Sequence, residues 1–185
     1  VVGISDDIVV YGETEEQHDN RLINFLKVAR KEGLSLNSSK CNIKTNNISF
    51  FGRLYIDKGI LPDPKKVEDI VQMPTPENKQ DLQRFLGMVT FLSNHIPCFS
   101  DISAPLRELL KEDIPFEWSE DHQCIFQNIK HLVASNLSLQ YYDPKDNVDL
   151  EVDASLKGLD AAIVQTNGPV AFASKMLNPT RSNYS

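Results

Sequence analysis

Two adjacent aspartates, Asp6 and Asp7, stand between the β-favouring runs Val1-Val2-Gly3-Ile4 and Ile8-Val9-Val10-Tyr11, so a hairpin with a doubly charged tip is predicted. Like charges this close repel, and a tight turn would favour Asn-Gly or Asp-Gly there, so the pair is costly unless something neutralises it. A hard divalent cation answers that need. Mg2+ is held by one or two carboxylates plus substrate phosphates, and paired metals assist in-line phosphoryl displacement. A solvated turn explains the hairpin alone equally well. A further carboxylate, Asp153, ends a segment in which Val148, Leu150 and Val152 alternate with Asp149, Glu151 and Asp153, the pattern of a strand buried on one face. Taken singly, an aspartate on such a strand is usually a solvated residue.

The elements that must position these groups are legible as periodicities and stop signals. Thr14-Glu15-Glu16-Gln17 opens a helix carrying Leu22, Phe25, Leu26 and Ala29, and Gly33 stops it. Ile48 to Ile56 is β-rich with Asp57-Lys58-Gly59 behind it, a second hairpin. Asp63-Pro64 caps a helix with Val67, Ile70 and Val71 on one side, ended by Met73-Pro74-Thr75-Pro76. From Asn78 a longer helix places Leu82, Phe85, Leu86, Val89 and Leu92 on one face, closed by Ile96-Pro97. A shorter helix is expected from Ala104-Pro105, burying Leu106, Leu109 and Leu110. Ser119 caps another, with Phe126, Ile129, Leu132 and Val133 inward. Two further strands, 160–165 and 169–174, flank the turn Thr166-Asn167-Gly168.

The chain has 185 residues, 41% of them hydrophobic, enough for a real core and between one domain and two in size. No run approaches the roughly 18 apolar residues of a spanning helix, and the start does not read as a signal peptide, so an intracellular protein without a membrane partner is expected. Cys41, Cys98 and Cys124 are widely spaced and suggest neither a disulfide framework nor a zinc site, and they are assigned to packing. The net charge of −7 argues against a nucleic-acid partner when taken whole. Its distribution softens this: residues 1–63 carry eight Lys/Arg against nine Asp/Glu, 64–111 six against six, and 112–185 five against eleven. The composition shift near residue 112 is the best candidate boundary. Val1-Val2-Gly3 reads as a strand already under way and Asn183-Tyr184-Ser185 closes no element, so a piece of a longer protein is expected.

In order along the chain, these landmarks resemble the Pol polyprotein of gypsy-type LTR retrotransposons. Ile4-Ser5-Asp6-Asp7 is similar to the Tyr-x-Asp-Asp palm motif, with Ile4 in place of the usual tyrosine. Glu16-Gln17-His18 and Gly33-Leu34-Ser35-Leu36-Asn37-Ser38-Ser39-Lys40-Cys41 resemble the stretches that follow it. Phe50-Phe51-Gly52-Arg53 and Gly59-Ile60-Leu61-Pro62-Asp63-Pro64-Lys65-Lys66-Val67 look like the primer-grip hairpin and the entry to the thumb. Leu82-Gln83-Arg84-Phe85-Leu86-Gly87-Met88 and Ile96-Pro97-x-Phe99-Ser100 resemble the thumb itself. Phe116-Glu117-Trp118-Ser119, Val152-Asp153-Ala154-Ser155 and Ala171-Phe172-Ala173-Ser174-Lys175 resemble the connection and the start of RNase H.

The resemblance implies a mixed α/β (α+β) chain: palm hairpins over 1–63, a helical thumb over 64–111, then a connection helix and the first strands of an RNase H-like sheet over 112–185. It implies that Asp6 and Asp7 hold Mg2+ (or Mn2+) for polymerisation and that Asp153 is the first RNase H carboxylate. Phe51, Gly52, Arg53, Gln83, Arg84 and Gly87 would meet an RNA–DNA hybrid, with dNTP as substrate; for Gly52 a simple bend or bulge remains an equal explanation. Asp160 departs from the small residues usual at its position. The fingers and first palm aspartate are expected before Val1 and the later RNase H carboxylates after Ser185, so the isolated chain is expected to be inactive. The setting implied is cytoplasm or nucleus, with a virus-like particle as an option for the parent element. The alternative is a domesticated or decayed remnant that binds nucleic acid or protein without catalysis.

Overall fold

The computed structural model describes residues 1–4, 6–135, 138–155 and 158–177, which leaves Ser5 of the hairpin tip and Asn183-Tyr184-Ser185 outside the described residues. Five α-helices and three small antiparallel sheets make up the described residues. The first sheet is the predicted hairpin, β1 (Val2–Ile4) with β2 (Asp7–Val9), in the register Ile4 opposite Asp7. Helix α1 (Glu15–Lys31) follows, with the Thr14 side chain accepting the Gln17 N–H and the Gln17 side chain accepting the Glu13 N–H at 3.3 Å. It ends at a left-handed Gly33, as its sequence requires. Its apolar stripe is poorly covered: Ala29 is buried, while Ile23, Leu26 and Val28 are exposed.

The second sheet is a meander rather than a hairpin. Strands β3 (Ile48–Phe50) and β4 (Arg53–Ile56) are joined by β5 (Gly59–Pro62), in the order β3-β4-β5. Asp63 caps α2 (Pro64–Val71) through Lys65 N–H, and Asn78 caps α3 (Lys79–Phe91) through Asp81 N–H. The next helix, α4 (Phe99–Glu108), begins five residues before the expected Ala104 and carries Pro105 inside it. Proline lacks a donor and crowds the preceding turn, which is why it reads as a helix start. Here Cys98, at φ 51, breaks the chain instead, and the earlier start buries Phe99 and Ser103.

Helix α5 (Glu120–Ala134) starts at a reciprocal capping box between Ser119 and His122. One apolar core joins these helices: Ile70 from α2, Leu82, Phe85 and Val89 from α3, Leu106 from α4, and Phe126, Ile129 and Val133 from α5. The core therefore runs across the composition shift near residue 112.

The third sheet is β6 (Asp149–Ala154), β7 (Gly158–Gln165) and β8 (Gly168–Met176), with a bulge at Ile163/Val164. Its β7–β8 side packs on α4, where Ser100 N–H donates to Ser174 Oγ at 2.7 Å. The expectation that Val148, Leu150 and Val152 are buried is not met: they are 45%, 64% and 71% exposed. Strand β6 is the edge of the sheet, and among the described residues no element covers that face. Nor are the cysteines packed inside, since Cys41, Cys98 and Cys124 are all exposed.

A short seam ties the second and third sheets together. Ile60 and Leu139 exchange both backbone hydrogen bonds (2.8 and 2.9 Å), Gln140 N–H donates to Pro169 O at 2.7 Å, and Tyr141 Oη donates to Ile56 O at 2.9 Å. Beyond it, the buried Gln165 side chain holds both backbone groups of Asp143. Asp146 accepts from Thr166 Oγ1 and N–H, which holds its carboxyl below the usual aspartate range.

Candidate nucleic-acid interface and carboxylate sites

Asp6 lies in the turn of the first hairpin and Asp7 opens β2, both exposed. Their hard oxygen donors fit Mg2+ or Mn2+ chemically. Among the described residues no group of three or more His, Cys, Asp or Glu is placed to hold a metal ion.

Asp153 lies on β6 and Asp6 and Asp7 on the first hairpin, in separate sheets. Asp153 is exposed, its Oδ1 accepts the Ala154 N–H at 2.9 Å, and it stands directly opposite Asp160 of β7. Like charges in direct cross-strand register are unfavourable. Asp160 Oδ1 is buried without a hydrogen-bond partner among the described residues. Both carboxylates act on the Cys98 thiol, whose pKa is raised by burial first, then by Asp160, Asp101 and Asp153. The first turn of α4 thus faces a small acidic group, and Asp160 belongs to it through a register that sequence alone does not give.

The residues Phe51, Gly52 and Arg53 sit at the β3–β4 connection. Phe51 and Gly52 form a two-residue turn with both φ values positive, 49 and 70, and Arg53 begins β4 opposite Phe50. The two explanations left open for Gly52 are weighed by its surroundings: a Cβ there would stand 2.6 Å from Phe91 Cε1 and 2.8 Å from Lys66 Cε. Its glycine therefore has an internal cause, a tight turn against α2 and α3. Phe51 is 56% exposed.

On α3, Gln83, Arg84 and Gly87 share the exposed side opposite the core stripe. Gly87 differs from Gly52 in that a Cβ there would meet nothing within 4 Å. A mid-helix glycine costs about 1 kcal/mol relative to alanine, and no contact among the described residues accounts for it. Gly87→Ala is accordingly expected to stabilise the free chain by about 0.5–1 kcal/mol, measured as a raised urea midpoint; an unchanged or lowered midpoint would contradict it. Lys66 reads in the sequence only as part of the stretch entering the thumb, and Phe91 is not singled out there. Phe91 continues the spacing Gln83, Gly87, Phe91 yet is 45% exposed, and the Lys66 ammonium lies 4.5 Å over its ring. The four-residue spacing from Gln83 through Gly87 is the sequence signal for Phe91.

Residues 118–185 match the model of an RNase H-like domain found in reverse transcriptase. The whole chain is similar to the Transposon Tf2-3 polyprotein of Schizosaccharomyces pombe, 29% identical over 190 residues, and spans 14% of that polyprotein's length. Among solved structures, it resembles the foamy viral protease-reverse transcriptase dRH in complex with double-stranded DNA. That likeness has a TM-score of 0.81 at 22% identity and covers 95% of this chain and 32% of that one. The foamy viral protease-reverse transcriptase in complex with RNA/DNA hybrid matches with the same TM-score of 0.81 at 22% identity, over 95% of this chain and 24% of that one. These two likenesses establish the fold.

Proposed function

We propose that the chain belongs with the gypsy-type LTR retrotransposon Pol polyproteins and is the stretch of a reverse transcriptase that grips the template–primer, with palm end 1–63, thumb 64–111 and connection plus early RNase H 112–185. The observation that carries this reading is the open stripe of α3, whose Gly87 leaves a notch without internal cause and whose line leads through Phe91 to the Phe51–Gly52 turn. The partners are an RNA template and a DNA primer, held through Phe51, Gly52, Arg53, Gln83, Arg84 and Gly87, with dNTP as substrate of the longer enzyme. A bound Mg2+ or Mn2+ would supply charge neutralisation for nucleotidyl transfer and hybrid cleavage. Asp6 and Asp7 would hold it at one centre and Asp153 at the other, together with carboxylates from other parts of the polyprotein. The proposed setting is the cytoplasm or nucleus.

The purified chain is expected to bind an RNA–DNA hybrid with strong salt dependence, read by fluorescence anisotropy, and Arg84→Ala is expected to reduce the salt slope by about 1. It is expected not to extend a primer with Mg2+ or Mn2+. No hybrid binding at low salt would sink the first expectation, and primer extension would sink the second. One observation favours the non-catalytic alternative: Asp160, facing Asp153 with an unpartnered oxygen, is a cost of the kind a decaying copy accumulates. Hybrid binding that persists when Asp153 is neutralised, in a parent polyprotein without RNase H activity, would support that reading.

A further inference from the structure

We infer that Phe91 and Lys66 are positioning residues that set the conformation of the Phe51–Gly52 turn, so that the turn and the stripe of α3 engage nucleic acid as one rigid surface; this rests on the proposed nucleic-acid reading. A left-handed backbone is rare for a bulky residue, and the two central positions of a primed hairpin turn favour Asn, Asp or Gly. Phe51, at φ 49, occupies the first of them. Its own preference does not select this turn, so the cause lies in what surrounds it.

The surroundings come from α2 and α3. Gly52 O accepts the N–H of Asp63, the capping residue of α2, at 3.2 Å. The Phe91 ring and the Lys66 stem fill the space over Gly52 that any side chain would need. The Phe51 and Phe91 rings lie 6.4 Å apart, tilted by 54°, with the Lys66 ammonium on the Phe91 face. Both rings are about half exposed, so core burial does not explain their placement. Strained backbone over-determined by its neighbours clusters at active sites and ligand clamps. Moving α3 relative to β3 and β4 would release the turn, and Phe51 would leave the line of Gln83, Gly87 and Phe91.

The test uses the full chain, isotope-labelled, with two independent readouts: the amide resonances of Phe51 and Gly52 without nucleic acid, and the Kd for an RNA–DNA hybrid. Phe91→Ala is expected to shift both resonances and to weaken hybrid binding about tenfold, a coupling typical of groups in contact. Phe91→Tyr, which keeps the ring, is expected to restore both. Lys66→Met keeps the stem and is expected to leave the resonances in place. The losses from Gly52→Ala and Phe91→Ala are expected to be partly non-additive, since part of the first is a collision with the ring the second removes, the rest being backbone strain at φ +70 and contact with Lys66. Where circular dichroism shows Phe91→Ala to be poorly folded, Phe91→Leu, which keeps bulk without the ring, takes its place. Unmoved turn resonances in a folded variant, or additive losses, would overturn the inference. Moved resonances in a chain that binds no hybrid would uphold the positioning role and remove the nucleic-acid reading instead.

Discussion

Phe85→Ala is expected to destabilise the chain by about 3–5 kcal/mol, the range for a fully buried aromatic cut to a methyl group. Phe85 has no exposed surface and packs 4.5 Å from Phe126, centroid to centroid, with the rings tilted by 52°. That pair joins α3 to α5 inside the apolar core shared by α2 to α5, where close packing resists collapse of the cavity. Against a total stability of about 5–15 kcal/mol for a domain, the variant should lose a large part of its folded population. Urea denaturation followed by circular dichroism reads the change. A loss below about 1 kcal/mol, the size of an ordinary surface effect, would mean that the α3–α5 contact is not the centre of the fold.

Gly59→Ala should act at a different place and by a different cause. Gly59 has φ +142, a region closed to other residues, and a Cβ there would overlap the carbonyl oxygen of Leu139. The substitution must push the seam apart, at an expected cost of about 2–4 kcal/mol from strain plus lost pairing. Hydrogen exchange locates the damage: the Ile60 and Leu139 amides should exchange faster, while those of α3 and α5 keep their protection. Equal protection at Ile60 and Leu139 in both proteins would contradict the account.

What the sequence disclosed and what it withheld divide along the range of the forces involved. Helix starts at Thr14, Asp63, Asn78 and Ser119 were readable because a cap is a contact between residues two or three apart. The α4 start was misread because Pro105 is a strong local signal, overridden by the burial of Phe99 and Ser103. Alternation in 148–153 showed which side chains share a face but not whether anything covers it, and exposure of Val152 is a tertiary fact. Asp6 and Asp7 gained meaning only from the order of the motifs behind them. Phe91 was legible only as a continued spacing and Asp160 only as an unusual residue at its position, because what each of them and Lys66 touches is set by the fold.

The seam at Leu139 to Tyr141 also sets rules for exchanging parts. A chimera that takes its third sheet from a relative must import Leu139 and Gln140 with it, and it must meet a glycine at position 59 and an open backbone at Ile60. A graft cut just after α5 would carry one half of a bonded pair and leave the other behind. The interchangeable unit is therefore not the stretch between two loops but the set of segments sharing that backbone pairing, and the segment from Asp143 to Asp146 travels with the third sheet because Gln165 and Thr166 hold it there.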